Sequence, residues 1–326
     1  MYTEAPTTKF NVANSPHWHD GSSLSGIQQA WLLALLPAII ASTCYFGFAA
    51  LRVVALAVAA SVVAEVTWNA LVANRDHATN FSSVTLGVLL AFLLPVGAEW
   101  WLVLVGSFLT VIIGKKLYGG WGAYPVHPVA LGYAILVVSW PSRLDYTASL
   151  VAQTWSVTMV EPMRLVRTLG ASAEASFGFT DLVLGRQVGG VGNALVLWLL
   201  LGGLFLLLIR EIPWQIPVGG ILGVLACAWL LGLINPEGTA TPVFHLLAGS
   251  TVLMVFFLAP EHTTSPVNPW PMFLYGLLMG ILLVLIRTFS NHSDGAIFAV
   301  LLANLCSPLL DRITPPVVGR EVQDVA

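Results

Sequence analysis

Few side chains in this sequence could do chemistry, and most of those lie in apolar surroundings. Glu65 and Asn69 stand four residues apart in the apolar run 53–72, so on a helix they share one face, a turn apart. A carboxylate in such a run is costly unless it faces a polar interior. The pair reads either as a cation or proton relay or as a hydrogen-bonded contact between helices, made to a partner subunit. His127, in Tyr124-Pro125-Val126-His127-Pro128, could contact a planar ligand or titrate near neutral pH; the other reading is a packed histidine satisfied by backbone carbonyls. His245, at the mouth of a later apolar run, reads as structural. Cys44, Cys227 and Cys306 show no CxxC or Cys/His spacing, so they are expected to be buried free thiols, and no metal site is expected from this chain alone.

A second set of candidates sits in the long polar stretch from Pro141 to Arg186. Thr168, Gly170, Ala171 and Ser172 fall within Arg167-Thr168-Leu169-Gly170-Ala171-Ser172, and the glycines at 185, 189, 190 and 192 lead into the next apolar run. A serine or threonine hydroxyl can carry a phosphoester, and Arg164 and Arg167 can pair with phosphate. A prosthetic group, if one is carried, is expected here. The alternative is a solvated loop in which Gly170 and Ala171 are turn residues and Thr168 and Thr180 have no role.

The elements that must position these groups are membrane helices. Charged residues are 9% and hydrophobic residues 57%, with a mean hydropathy of +0.84, against roughly 25% charged in a soluble domain. The fold class is therefore an all-α polytopic membrane protein seated in the lipid bilayer. The net charge of -3 arises from few charges, and nothing in it points to nucleic acid.

Residues 1–25 read as a retained cytoplasmic tail. Residues 26–140 hold five apolar segments, near 26–47, 53–72, 84–96, 101–114 and 118–140. The third and fourth are shorter than the ~20 residues that cross a bilayer. The fifth, with Gly119, Gly120, Gly122, Pro125 and Pro128, reads as a broken helix or re-entrant loop, tolerated only where protein surrounds the backbone. Residues 141–187 form an external loop, and 188–311 hold five more segments, near 188–209, 216–234, 243–260, 272–286 and 295–310. Residues 312–326 are a cytoplasmic tail.

The halves match in detail. Lys115-Lys116 and a Gly/Pro-rich opening occupy in the first half the place of Arg287 and residues 290–295 in the second. About ten transmembrane segments in two inverted five-segment repeats are expected, since two copies of an odd-numbered unit must face opposite ways. The basic residues then divide seven (Lys9, Arg75, Lys115, Lys116, Arg210, Arg312, Arg320) to six (Arg52, Arg143, Arg164, Arg167, Arg186, Arg287), which leans toward cytoplasmic termini.

Several stretches carry a family resemblance. They are Ser15-Pro16-His17, Ser83-Val84-Thr85 running into Leu89 to Pro95, Lys115 to Gly122, Leu184 to Gly192 (LGRQVGGVG), Trp214 to Pro217, and Ile286 to Phe289 followed by Asp294 to Asp311 (DGAIFAVLLANLCSPLLD). Together they cover nearly the whole chain, which resembles the RnfD component of the Rnf ion-translocating oxidoreductase and its relative NqrB of the sodium-pumping quinone reductase.

The resemblance implies a multi-pass subunit of the bacterial inner membrane. It would hold flavin, help couple electron flow between ferredoxin and NAD to Na⁺ or H⁺ movement, and assemble with other membrane and peripheral subunits. In the family, FMN is esterified to the threonine of Asp-x-x-Ser-Gly-Ala-Thr. Here the positions read Val166, Leu169, Gly170, Ala171 and Ser172: glycine and alanine remain, the acid and first hydroxyl are lost, and serine replaces the acceptor. Covalent FMN at Ser172, non-covalent FMN or riboflavin, and a loop without flavin all stay open. Where the family usually carries asparagines, Tyr124 and His127 stand. A small-solute channel or carrier, or a flavin-free structural subunit, are the alternative functions.

Overall fold

The computed structural model describes residues 23–72, 81–147, 161–290, 292 and 294–313. The expectations for Lys9, for 15–17, for Arg75 and for Arg320 lie outside them. All regular structure among the described residues is helical.

The first half holds α1 (Leu24–Phe46), α2 (Phe48–Leu71), α3 (Ser82–Leu93), α4 (Trp100–Phe108, continued by a π turn at Leu109–Ile113) and α5 (Pro128–Ser139). The loop region adds α6 (Pro162–Leu169), a 3-10 stretch at Gly170–Ser176, and α7 (Phe179–Leu184). The second half holds α8 (Val196–Leu208), α9 (Gln215–Ile234), α10 (Pro242–Leu247), α11 (Thr251–Leu253, continued by a π turn at Met254–Leu258), α12 (Pro269–Phe289) and α13 (Ala296–Leu310).

Local chemistry sets many of the starts. Ser23 accepts the Gly26 amide at 3.2 Å ahead of α1, Thr241 accepts the Phe244 amide ahead of α10, and α5, α6, α10 and α12 each open on a proline.

Five helices are long and apolar enough to cross a membrane: α1, α2, the continuous stretch Trp100–Tyr118, α9 and α12. The shorter apolar helices are α3, α5, α8 and α13. With 12 residues, α3 is about 18 Å long, well short of the ~30 Å hydrocarbon core. Its surroundings explain how it persists: every residue of α3 except Val84 is buried. The stretch formed by α11 and its π turn is buried at every position. These two short helices are the interior of the molecule, and the long helices enclose them.

The second to fifth apolar stretches of each half share a packing order. In the first, α2 lies against α3 and α4, and α4 with its π turn lies against α5; in the second, α9 lies against α10 and α12, and α12 against α13. Between the halves, α1 packs on α8 and α5 on α13.

Two apolar runs differ from their sequence expectation. The run at 188–209 becomes helical only at Val196, because residues 187–195 pass over the end of α3. The amide of Val191 donates to Leu94 O at 2.9 Å, and those of Gly192 and Asn193 to Phe92 O at 3.2 and 3.1 Å. These bonds satisfy carbonyls that a helix end leaves open. The run at 243–260 is broken at Ala248–Ser250, where Gly249 takes φ +65° and a Cβ would lie 2.9 Å from the Arg287 guanidinium. The thiols also differ: Cys227 is buried, but Cys44 is exposed on α1 and Cys306 is partly so.

Gly87 lets α3 press against α2. An added Cβ would stand 2.8 Å from Val58 Cα and 3.0 Å from Ala57 O, whereas at Gly232 it would meet open space. Gly87→Ala should therefore cost about 1–3 kcal/mol through overpacking and lower the melting temperature in detergent. Gly232→Ala should change it little; equal losses at both positions would show that the α2/α3 contact is not tightly packed.

Candidate functional site

Glu65 and Asn69 do face the interior, and they meet two lysines. Lys115 Nζ lies 2.8 Å from Glu65 Oε1 and 2.6 Å from Ser82 Oγ; Lys116 Nζ lies 2.9 Å from Glu65 Oε1 and 2.9 Å from Asn69 Oδ1. Glu65, Lys115 and Lys116 are all buried. The cluster joins α2, the first residue of α3 and the end of the α4 stretch. One carboxylate thus balances two ammonium groups, and Lys115 and Lys116 are interior residues rather than loop charges that end a span.

At the other end of α3, roughly 16 Å away by helical rise, a cavity of about 560 Å³ opens toward the loop region. That volume lies within the usual range for small-molecule pockets, about 300–1,000 Å³. Its mouth carries Asp145, Arg164, Arg167 and Thr168. Arg164 pairs with Asp145 at 3.1 Å. Burial alone would raise the Asp145 carboxyl, but the Thr147 amide and the Arg164 guanidinium outweigh it and hold the group below the usual carboxylate value.

The cavity floor is a hydrogen-bonded network contributed by both halves. Tyr146 donates to Leu93 O at 2.9 Å and sits 2.8 Å from the Tyr133 hydroxyl. Because the Tyr146 proton is committed to the carbonyl, Tyr133 is the donor between them. Asn193 donates to Ser250 Oγ at 2.8 Å, and Ser250 in turn donates through its hydroxyl and its amide to Asp294. Arg287, fully buried, lies 3.1 Å from Asp294 and closes the helix break by donating to His245 O at 2.7 Å and Ala248 O at 3.0 Å. Gln187 donates to Leu247 O at 2.9 Å. The stretches LGRQVGGVG and DGAIFAVLLANLCSPLLD, far apart in sequence, therefore meet around one break.

The flavin-motif positions point in different directions. Thr168 is exposed and lines the large cavity, its hydroxyl donating to Leu165 O at 3.0 Å. Gly170, at φ +66°, lies on residues Glu237 and Gly238 so closely that no Cβ fits, and the Ala171 amide donates to Glu237 O at 2.8 Å. Ser172 is exposed, and its hydroxyl donates to Leu169 O at 2.6 Å. It does not line the large cavity. Glu174 anchors the stretch by accepting from the Thr241 hydroxyl at 3.0 Å.

His127 lies away from this region, in a small cavity beside Ser82 at the opposite end of α3. It caps α5, its Nδ1 accepting the Ala130 amide at 3.4 Å, while its buried Nε2 has no partner among the described residues. His245 is buried too, and neither of its ring nitrogens has a partner among the described residues. Among the described residues no three His, Cys, Asp or Glu side chains gather to hold a metal ion.

Sequence reasoning missed Asn193, Ser250, Asp294 and Tyr146 as one network, and it missed the lysine partners of Glu65. The place of Lys115 and Lys116, matched to Arg287, was a usable signal: each half supplies a base at the end of its fourth segment, and each base is buried against the start of a short helix.

Removing one member of a buried charge cluster commonly costs about 3–5 kcal/mol, because the remaining charge is left unpaired. Glu65→Gln removes the carboxylate that both ammonium groups share, while Lys116→Met keeps the Glu65–Lys115 pair. The glutamine variant should yield far less folded protein in detergent than the methionine variant, as measured by size-exclusion profiles; the reverse order would mean that Glu65 is not held as a carboxylate. At the loop, the depressed Asp145 value means that the Arg164 tether is present above the ordinary carboxylate range and lost as pH falls through the lower folded value. Amide protection in residues 163–169, taken relative to the intrinsic exchange rate at each pH, should therefore stay flat from neutral pH down to about pH 4 and fall below it. Asp145→Asn should lower that protection above the step, leave it unchanged below, and so remove the step.

The profile of the NQR2, RnfD, RnfE family matches residues 11–319. The D component of the ion-translocating oxidoreductase complex of Mannheimia succiniciproducens is 33% identical over 355 residues, which cover 96% of this chain and 99% of that protein. The proteins of the same name from Yersinia enterocolitica and Pectobacterium carotovorum are each 33% identical, over 342 and 346 residues, covering 94% of this chain and 97% of theirs. The match runs through both halves, the loop between them and the residues that meet around the Arg287 break, and the chain belongs to the NQR2, RnfD, RnfE family.

Proposed function

We propose that this chain is the RnfD-type membrane component of an Rnf complex, carrying flavin and coupling electron transfer between ferredoxin and NAD to translocation of Na⁺ or H⁺. The observation that carries the reading is the near full-length match to relatives that bear the name of this component. The chain is a multi-pass protein of the bacterial inner membrane whose partners are the other membrane and peripheral subunits. Its ten segments form two inverted repeats. The shared packing order of the halves, and the cavities at opposite ends of α3, support that plan.

Burial removes the weight of the loop charges in setting orientation. With Lys115, Lys116 and Arg287 in the interior, the seven-to-six division of bases becomes five to five. The external placement of 141–187 then rests on the family, whose flavin motif lies on the outer side.

For FMN, the exposed Ser172 hydroxyl on a stretch fixed through Gly170 and Ala171 suits an esterified phosphate. A non-covalent FMN or riboflavin has the large cavity, where Arg164, Arg167 and Thr168 would hold a phosphate or polar tail. Flavin supplies the electron-carrying chemistry when bound; the residues of this chain supply position, charge and exclusion of water. Glu65 and Asn69 serve ion coupling through the lysines they hold, since the charge of that cluster changes with a single proton or cation.

Protein denatured and separated on a gel should fluoresce under ultraviolet light, and Ser172→Ala should abolish the signal. Fluorescence that survives the change would move the ester to Thr168, and a dark wild-type band with flavin in the supernatant would establish non-covalent binding. A single cysteine at Ser176 should react with an impermeant reagent from outside; labelling from the cytoplasm alone would invert the orientation.

A further inference from the structure

The small cavity at the start of α3 is lined by buried polar groups, three of which lack hydrogen-bond partners among the described residues. Its volume is about 20 Å³, room for a single water, which needs roughly 10–15 Å³. Gln28, Trp31, His127 and Glu261 line it and are 3%, 4%, 0% and 6% exposed. Among the described residues Gln28 Oε1, Trp31 Nε1 and His127 Nε2 have no hydrogen-bond partner. Buried polar atoms seldom remain so, and each calls for an explanation.

The donors and acceptors are complementary to one water. Because His127 Nδ1 accepts the Ala130 amide, the neutral ring carries its proton on Nε2, which is thus a donor, as Trp31 Nε1 always is. A water can accept from both and donate to Gln28 Oε1 and the Glu261 carboxylate. Two N–H hydrogens turned toward the space oppose a bare metal cation there.

Glu261 follows the π turn of α11 and is held by the Tyr124 hydroxyl and, at 3.1 Å, by Thr264. Among the described residues it takes part in no ion pair. The other titratable groups that face it are Tyr275 of α12, His127, and His262, which is partly exposed and pairs with Glu211 at 3.6 Å. A buried carboxylate without a counter-charge is neutralised by taking up a proton.

We propose that Glu261 is a proton-binding site, served by one water held among Gln28, Trp31 and His127, at the end of the bundle where α1 begins. Solvent beside His262 gives a proton to the water, and the water gives one to a Glu261 oxygen, so that one O–H bond forms on the carboxyl and the water is restored. The site rests on the ion-translocating reading for its purpose and names H⁺ as the ion bound here.

The test is infrared difference spectroscopy of the purified full chain, titrated across pH with and without Na⁺. A protonated-carboxyl band should appear, vanish in Glu261→Gln, shift in Trp31→Phe, which keeps a ring but loses the donor, and ignore Na⁺. The same band in Glu261→Gln, or its loss on adding Na⁺, would overturn the proposal. Should Glu261→Gln fail to fold, Trp31→Phe and Tyr124→Phe decide, and a band unchanged in both refutes it. The band belongs to the isolated chain, whereas the reading as a component of a redox complex fails if the chain does not copurify with redox partners, so the two can fail separately.

Discussion

A helix that ends inside a membrane protein must find partners for its free amides and carbonyls within the protein, since no water reaches them. Two short helices, α3 and α11, impose that constraint here, and much of the remaining structure answers it. Lys115 is fixed at the first residue of α3. The amides of 191–193 cap its last carbonyls. Arg287 fills the break ahead of α11 by bonding two carbonyls at once. Glycines occur where these backbones approach most closely, as at Gly190, whose added Cβ would stand 2.5 Å from Phe92 O.

The bases that answer the constraint bring charge into the interior, and that charge has to be balanced. Glu65 and Asp294 do so, each from a different element than the base it meets. The result is two charged junctions at opposite ends of the same buried helix, one made largely by the first half and one shared between halves. An element that must be charge-balanced to exist in lipid is also one whose equilibrium a proton or cation can bias.

The loop region separates two tasks that a motif alone merges. Thr168 belongs to a cavity with arginines and a polar floor, while Ser172, four residues on, turns to the surface. The separation arises at Gly170, whose left-handed backbone reverses the chain against Glu237. A hydroxyl on the surface is open to a partner protein, whereas the one in the cavity faces the space that the arginines line.

Composition and run lengths were enough to establish a helical membrane protein, because both are read from the chain without its partners, whereas Pro128, read as a breaker, opens α5. The Glu65/Asn69 face was legible for the same reason, since helical periodicity is local. The partners were not. Lys115 and Lys116 read as the end of a span, and Asn193 and Ser250 fell inside apolar runs unremarked, because a polar side chain carries no mark of what it will meet far along the chain. Only the packing of two short helices inside the bundle decided that these residues would be buried. Once buried, hydrogen bonding and charge balance required that they find one another.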